Sequence, residues 1–360
     1  MVGAAAGGSD AMNFGSDNVH GVHEAILDAL RDANAGTASS YGHDDWSARA
    51  EARLRAVFEC DLSAYLVITG TAANSLALAA CCPSHGAVVC HREAHINVDE
   101  CGAPEMYTGG AKLMGVGGPA GKLTPTAVTG MLDTMGRAEH EQRPSVVSLS
   151  QATELGTAYS VDEISALSQT ARGRRMRLHM DGARFANALV RLGCTPAELT
   201  WKAGVDVLSF GATKNGALGV EAVVFFDRAL THDFLYRRKR SGQLVSKSRY
   251  LGAQMLAYLD NDVWLSNARH ANLMADMLAA GARAIPGVRL PLPVEANEVF
   301  AIMPRVTHES LLAAGARYST WPGEGPGTDT VGHGEVFVRW LTSFRTTADE
   351  VRALVAAALA

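Results

Sequence analysis

The chain has 360 residues, 48% of them apolar, with 32 Lys and Arg against 37 Asp and Glu for a formal net charge of −5. A chain this long commonly splits its core, so one large and one smaller domain are expected. The mild acidity gives no electrostatic reason to expect nucleic acid or an anionic membrane surface, and no apolar run approaches the ~20 residues of a membrane span.

The opening segment, Met1-Val-Gly-Ala-Ala-Ala-Gly-Gly-Ser-Asp10, lacks a basic start and a long apolar core. It does not read as a signal peptide, and a flexible arm is expected over residues 1–13. Apolar runs at 65–68, 87–90, 146–149, 177–180, 205–210 and 222–226 then read as strands, with helical stretches at 72–82, 161–171 and 183–192 among them. Such alternation predicts the α/β class, with a mostly parallel sheet covered on both faces and catalytic groups at the carboxyl ends of its strands. From about residue 248 the pattern changes. Helices are expected at 248–260, 264–284 and 308–314, strands at 288–290 and 336–341, and a closing helix from 348. The expected division is a large domain over 14–250 and a smaller α+β domain over 251–360. Six cysteines (60, 81, 82, 90, 101 and 194) form no C-x-x-C pair, so neither a metal site nor a disulfide framework is indicated and a reducing, cytoplasmic setting is expected.

The most informative segment is Leu208-Ser-Phe-Gly-Ala-Thr-Lys-Asn-Gly-Ala-Leu-Gly219, where a strand-like run ends in small residues and a lone lysine, Lys214. Small neighbours leave room for something flat and bulky, and a desolvated lysine can lose its proton and attack a carbonyl. Asp181, in Leu178-His-Met-Asp-Gly-Ala-Arg184, also follows a strand-like run. A Schiff-base lysine and an aspartate for a pyridinium nitrogen are what pyridoxal phosphate (PLP) demands. Asp181 alone could equally be a helix N-cap; against that reading stands Arg184, a planar fork for a carboxylate.

Other candidates surround this pair. Thr69-Gly-Thr-Ala-Ala-Asn74 opens a helix after a strand, where the amides of Gly70, Thr71 and Ala72 suit a phosphate, and Thr213 could add a hydroxyl. His95 could stack on a flat cofactor and act as acid or base, tuned by nearby Asp99 and Glu100; otherwise it is a surface or capping histidine. Arg237-Arg-Lys-Arg240 reads as a solvated basic face, a nucleic-acid patch, or a phosphate ligand across a subunit boundary. Arg339, in the apolar run Val338-Arg-Trp-Leu341, needs a partner, either a structural carboxylate or that of an amino-acid substrate.

In order along the chain, these landmarks resemble the threonine aldolase family of PLP enzymes. The resemblance runs from about Phe14 to the C-terminus and implies the fold type I, aspartate-aminotransferase-like architecture. Ser16-Asp17 resembles the opening motif whose serine touches the substrate carboxylate, and Tyr41-Gly-His-Asp44 resembles a substrate-binding Tyr-Gly-x-Asp loop. Gly70-Thr71 resembles the phosphate loop, and His95 to Glu100 the segment with the stacking histidine. Asp181-Gly-Ala-Arg184 matches a motif whose arginine binds the carboxylate. Lys214 and Arg339 fall at the Schiff-base lysine and the second carboxylate-binding arginine. Ser150-Gln-Ala-Thr-Glu154 departs from the family's Glu-Asn-Thr-His, with Thr153 at the histidine position. With Asn18, Asp99 and the Thr213-Lys214-Asn215 context, it points to the phenylserine aldolase branch. The resemblance implies cleavage of L-β-hydroxy-α-amino acids to glycine and an aldehyde. The base is His95, or a water held by His95, Asp99 or Glu154. It also implies a homotetramer with shared sites. A β-eliminating lyase of similar fold is the rival reading. A nucleotide-binding module lacks its glycine motif, and a nucleic-acid binder conflicts with the net charge.

Overall fold

The computed structural model describes residues 12–322 and 330–360. The larger sheet has seven strands: β1 (Ser63–Val67), β2 (Gly86–His91), β3 (Lys112–Val116), β4 (Arg143–Ser150), β5 (Arg177–Gly182), β6 (Val207–Gly211) and β7 (Glu221–Phe225). They lie in the order β1-β7-β6-β5-β4-β2-β3. β3, β2, β4, β5 and β6 run parallel, while β7 runs antiparallel to both β6 and β1. β2, β6 and β7 are buried along their whole length, as expected of strands covered on both faces. The edge strand β3, with its exposed Lys112 and its Gly115, lacks the continuous apolar run by which the others are recognised.

The helices follow from local signals. Thr69 caps Gly70–Cys81 by accepting the Ala72 amide, and Ser160 with Glu163 forms a capping box on Val161–Gly173. Helices Glu24–Ala33 and Asp45–Phe58 are additional to the expected set and cover the sheet beside Arg249–Leu259. The main core is rich in aromatic side chains: Phe58, Phe185, Phe210, Tyr258 and Trp264 meet edge to face or tilted, at centroid separations of 5.7–6.3 Å.

A second, antiparallel sheet contains β8 (Glu298–Pro304), β9 (Ser319–Thr320) and β10 (Glu335–Leu341), in the order β8-β10-β9. Residues 288–290 form no strand. Only Arg289 bridges to Ile302, because the flanking chain runs into Pro291 and Pro293 and cannot sustain a ladder. The strand of this region is β8. The cores do not part at residue 250: Leu251, Met255, Tyr258, Trp264 and Ala268 belong to the large cluster, whereas Met274, Leu278 and Ala282 join the small one. Helix Val263–Ala282 therefore serves both. Of the expected N-terminal arm, residues 1–11 lie outside the described residues. Met12 and Asn13 are tied to Arg317, and Phe14 is wholly buried in the small cluster.

Two glycines set how closely β5 and β6 converge at the site. A Cβ on Gly211 would lie 2.6 Å from the Ala183 carbonyl oxygen and 2.7 Å from its Cα, and one on Gly182 would lie 2.8 Å from the Ser209 carbonyl. Gly211→Ala is expected to destabilise the fold by about 1–3 kcal/mol through overpacking against backbone, lowering the midpoint of thermal unfolding. An unchanged midpoint contradicts this account of the β5–β6 junction.

Candidate active site

Asp181 and Lys214 meet because their strands are neighbours. Asp181 stands opposite Ser209 in the parallel β5–β6 register, and Lys214 lies just beyond β6 in a 3₁₀ turn, Thr213–Asn215. The turn is anchored from behind. Asn215 Nδ2 donates to the Tyr258 hydroxyl (2.9 Å) and the Trp264 carbonyl (2.8 Å), and Asn267 donates to the Asn215 carbonyl at 2.8 Å. Gly216 closes the turn at φ +115°, a conformation side chains resist. Lys214 and Asp181 open into one cleft of about 260 Å³, shared with Gly70, Thr71, His95 and Glu154.

A buried hydrogen-bond chain links Asp181 to His95. Asn74 Nδ2 donates to Asp181 Oδ2 and to Glu100 Oε1, both at 2.8 Å, and Glu100 Oε1 also lies 2.8 Å from His95 Nδ1. The Ala183 amide donates to Asp181 Oδ1 at 3.0 Å. The hydrogen bond to Glu100 raises the basicity of His95, against the effect of burial. Two strands' worth of polar support lies below. His179 sits between the hydroxyls of Ser148 (2.8 Å) and Ser209 (3.0 Å), and burial pushes its pKa down to about 4, so it is neutral.

At the helix N-terminus, the amides of Gly70 and Thr71 make no hydrogen bond among the described residues and face the cleft. The Ala72 amide does not share this role, because it is spent on the Thr69 cap at 3.1 Å. Thr213 lines the cleft, and its hydroxyl accepts the Val220 amide at 3.3 Å. Glu221, at the head of β7, also lines it. Burial pushes Glu221 up to about 7, opposed by its hydrogen bonds to Thr213 and the Ala212 amide and by the charge of Lys214.

Arg184 and Arg339 come together where the two sheets meet. Asp17 grips Arg184 in a forked pair, 2.8 Å to Nε and 3.3 Å to an Nη, and Asn297 donates to the same carboxylate at 3.2 Å. Burial would push Asp17 up, but Arg184, then Lys214, hold it below its usual value. Glu298 lies 3.5 Å from Nη1 of each arginine, and the Arg339 guanidinium stacks 4.4 Å from the Trp321 ring centroid. Ser16 precedes Asp17, and its hydroxyl accepts the Asn18 amide at 3.1 Å.

Other candidates stand apart from the cleft wall. Asp99 is 78% exposed at its side chain, with Oδ2 3.9 Å from His95 Nε2. Tyr41 does not face the cleft of its own chain. It adopts φ 59°, lies 4.7 Å below Lys239 Nζ, and borders a separate hollow with Arg238. Thr153 is turned into its own loop, paired with the Thr157 hydroxyl at 2.8 Å, so Glu154 is the residue of that segment that reaches the cleft. Asn74, Glu100, Asp17, Glu221 and Glu298 were not among the expected site residues, save Glu100 as a tuner of His95. Glu221 and Glu298 share one readable signal, a single glutamate heading an apolar strand.

The residues fit pyridoxal phosphate. A lysine faces a buried aspartate across the cleft, two unspent helix-terminal amides lie at one end, and two arginines with hydrogen-bonding capacity to spare lie near the other. No group of three or more His, Cys, Asp or Glu among the described residues is placed to hold a metal ion.

Comparison with known proteins agrees with this geometry. The model of the beta-eliminating lyase family matches residues 13–305. A low specificity L-threonine aldolase of Pseudomonas aeruginosa is 46% identical over 342 residues, covering 95% of each chain. A solved threonine aldolase of Leishmania major superposes with a TM-score of 0.87 at 28% identity, covering 96% of this chain and 98% of its own. A methionine aminotransferase of Escherichia coli, at 12% identity and a TM-score of 0.72, shares the fold type I architecture. The chain belongs to the threonine aldolase family of PLP-dependent carbon–carbon lyases, within the beta-eliminating lyase family.

Proposed function

We propose that the chain reversibly cleaves L-β-hydroxy-α-amino acids, with L-threonine, L-allo-threonine and L-phenylserine as substrates, to glycine and an aldehyde. The observation that carries this reading is the placing of a carboxylate-binding arginine pair beside the cleft that holds Lys214 and Asp181. When bound, PLP supplies an electron sink conjugated to the substrate's α-amino nitrogen.

The chain's own residues do the rest. Lys214 holds the cofactor covalently, and Asp181, fixed by Asn74 and the Ala183 amide, keeps a pyridine nitrogen protonated. Gly70, Thr71 and Thr213 hold the phosphate. Arg184, Arg339 and Ser16 grip the substrate carboxylate and so orient Cα, which decides whether the bond to Cβ or to hydrogen is the one aligned to break. With Nδ1–H donating to Glu100, His95 has Nε2 free to accept the β-hydroxyl proton, and Glu100 strengthens it as a base. The alternative base is a water held by His95, Asp99 or Glu154. We place the division of labour between a cofactor-binding large domain and a smaller C-terminal domain that brings Arg339. We also infer a homotetramer, supported by exposed apolar side chains such as Tyr236 (78%) and Met106 (73%). Tyr41, facing away from its own cleft, serves a neighbouring copy. The cytoplasmic setting rests on the cysteines, none of them paired among the described residues.

Three outcomes test the reading. The purified protein is expected to be yellow, and Lys214→Ala to lose the near-visible absorption band; a band that survives unchanged removes Lys214 from its role. Threonine and phenylserine should release acetaldehyde and benzaldehyde; pyruvate and ammonia from serine, without aldehyde from either substrate, would instead identify a β-eliminating lyase. Asn74→Ala is expected to lower kcat about 10–100-fold, since a hydrogen bond to a charged group contributes roughly 1.5–3 kcal/mol. Wild-type turnover in that variant would show that the Asp181–His95 chain does not support catalysis.

A further inference from the structure

Glu298 takes no part in holding cofactor or moving the hydroxyl proton, yet it is among the most deeply buried acids of the chain, at 1% exposure. It opens β8 in register with Leu341, which brings it diagonally against Arg339 on β10. Neither of its oxygens has a hydrogen bond among the described residues. Its nearest cations are Nη1 of Arg184 and Nη1 of Arg339, each at 3.5 Å. Charge-assisted bonds normally close to about 2.7–2.9 Å, so both arginines retain donor capacity. Arg339 Nε likewise has no hydrogen-bond partner among the described residues. The backbone seals the site: at Gly156, φ +73°, an added Cβ would lie 3.0 Å from Glu298 Cβ.

The charges here are nearly balanced. Two guanidiniums, Arg184 and Arg339, face two carboxylates, Asp17 and Glu298, with Glu154 farther along the cleft wall adding negative charge. A third carboxylate entering between the arginines leaves a buried negative excess, which is costly unless neutralised. Asp17 is unsuited to take a proton, since it already accepts two bonds from Arg184 and one from Asn297 and also faces Lys214. Glu298 has no such bonds. We propose that Glu298 is a positioning residue that holds Arg184 and Arg339 in place before substrate binds and takes up one proton from solvent as the substrate carboxylate enters between them. Substrate binding is thereby linked to proton uptake, and the neutral acid leaves both guanidiniums to the substrate. Burial pushes Glu298 up to about 7, against the pull of the two arginines, so it is largely ionised at pH 8 and largely protonated at pH 6.

The inference rests on the reading that Arg184 and Arg339 bind the substrate carboxylate, and the test separates the two. The holoenzyme is titrated calorimetrically with glycine and with glycinamide, which lacks the carboxylate, in buffers of different ionisation enthalpy, and proton uptake is corrected for each amine's own ionisation. At pH 8 glycine should take up close to one proton more than glycinamide, and at pH 6 the difference should shrink towards zero. Glu298→Gln should still bind glycine but lose the difference at pH 8, whereas Glu298→Asp should retain it. Equal uptake for the two ligands in the wild-type protein at pH 8 overturns the inference, whether or not the variants fold, as does a difference that persists in Glu298→Gln. If glycine binds no more tightly than glycinamide, the carboxylate site itself is misassigned and the inference falls with it.

Discussion

The site depends on the side-by-side ending of two parallel strands. β5 delivers Asp181 and β6 runs on to Lys214, and their register sets the distance across which a flat ring must fit. Gly182 and Gly211 let the two backbones approach, which is why small residues cluster there. Room for a cofactor is only part of the reason: at these two positions a side chain would strike the neighbouring backbone. The antiparallel β7 then returns beside β6 and places Glu221 under the lysine turn, so the sheet's one reversal contributes directly to the cleft.

Around that junction two systems of buried charges stand out. One is a chain of neutral and ionic partners, Asp181–Asn74–Glu100–His95, that ties Asp181 to the histidine proposed as the base. The other is the Asp17–Arg184–Glu298–Arg339 cluster, whose members come from the N-terminal segment, the end of β5, and strands β8 and β10. The cluster pins the smaller sheet to the larger one, and under the proposed function it also presents the arginines to the substrate carboxylate. Under the proposed function, substrate recognition and the joining of the two cores are the work of the same ions.

Lys214, Asp181 and Arg184 are legible in the chain because each follows an apolar run whose burial and direction can be read locally. The parallel core strands and most helices are legible for the same reason. What escapes local reading is long-range pairing. Asn74 looks like a polar residue in a helical stretch until Asp181, 107 residues away, is placed beside it, and Asp17 finds Arg184 across 167 residues. β3 is obscured because it is a partly exposed edge, and residues 288–290 mislead because the alternation Val288-Arg289-Leu290 reads as a strand but lies beside prolines. Ala72 shows the same limit at atomic scale: the motif places its amide at the helix terminus, but only the geometry shows that Thr69 has already taken it.

The central claim is that Lys214 carries the cofactor. Borohydride reduction of the purified holoenzyme, followed by proteolysis and mass spectrometry, tests it on the unaltered chain. The account predicts a phosphopyridoxyl group on the peptide containing Lys214 and on no other. A label confined to another lysine, such as Lys122 or Lys202, or a wild-type holoenzyme that takes no label at all, would contradict it.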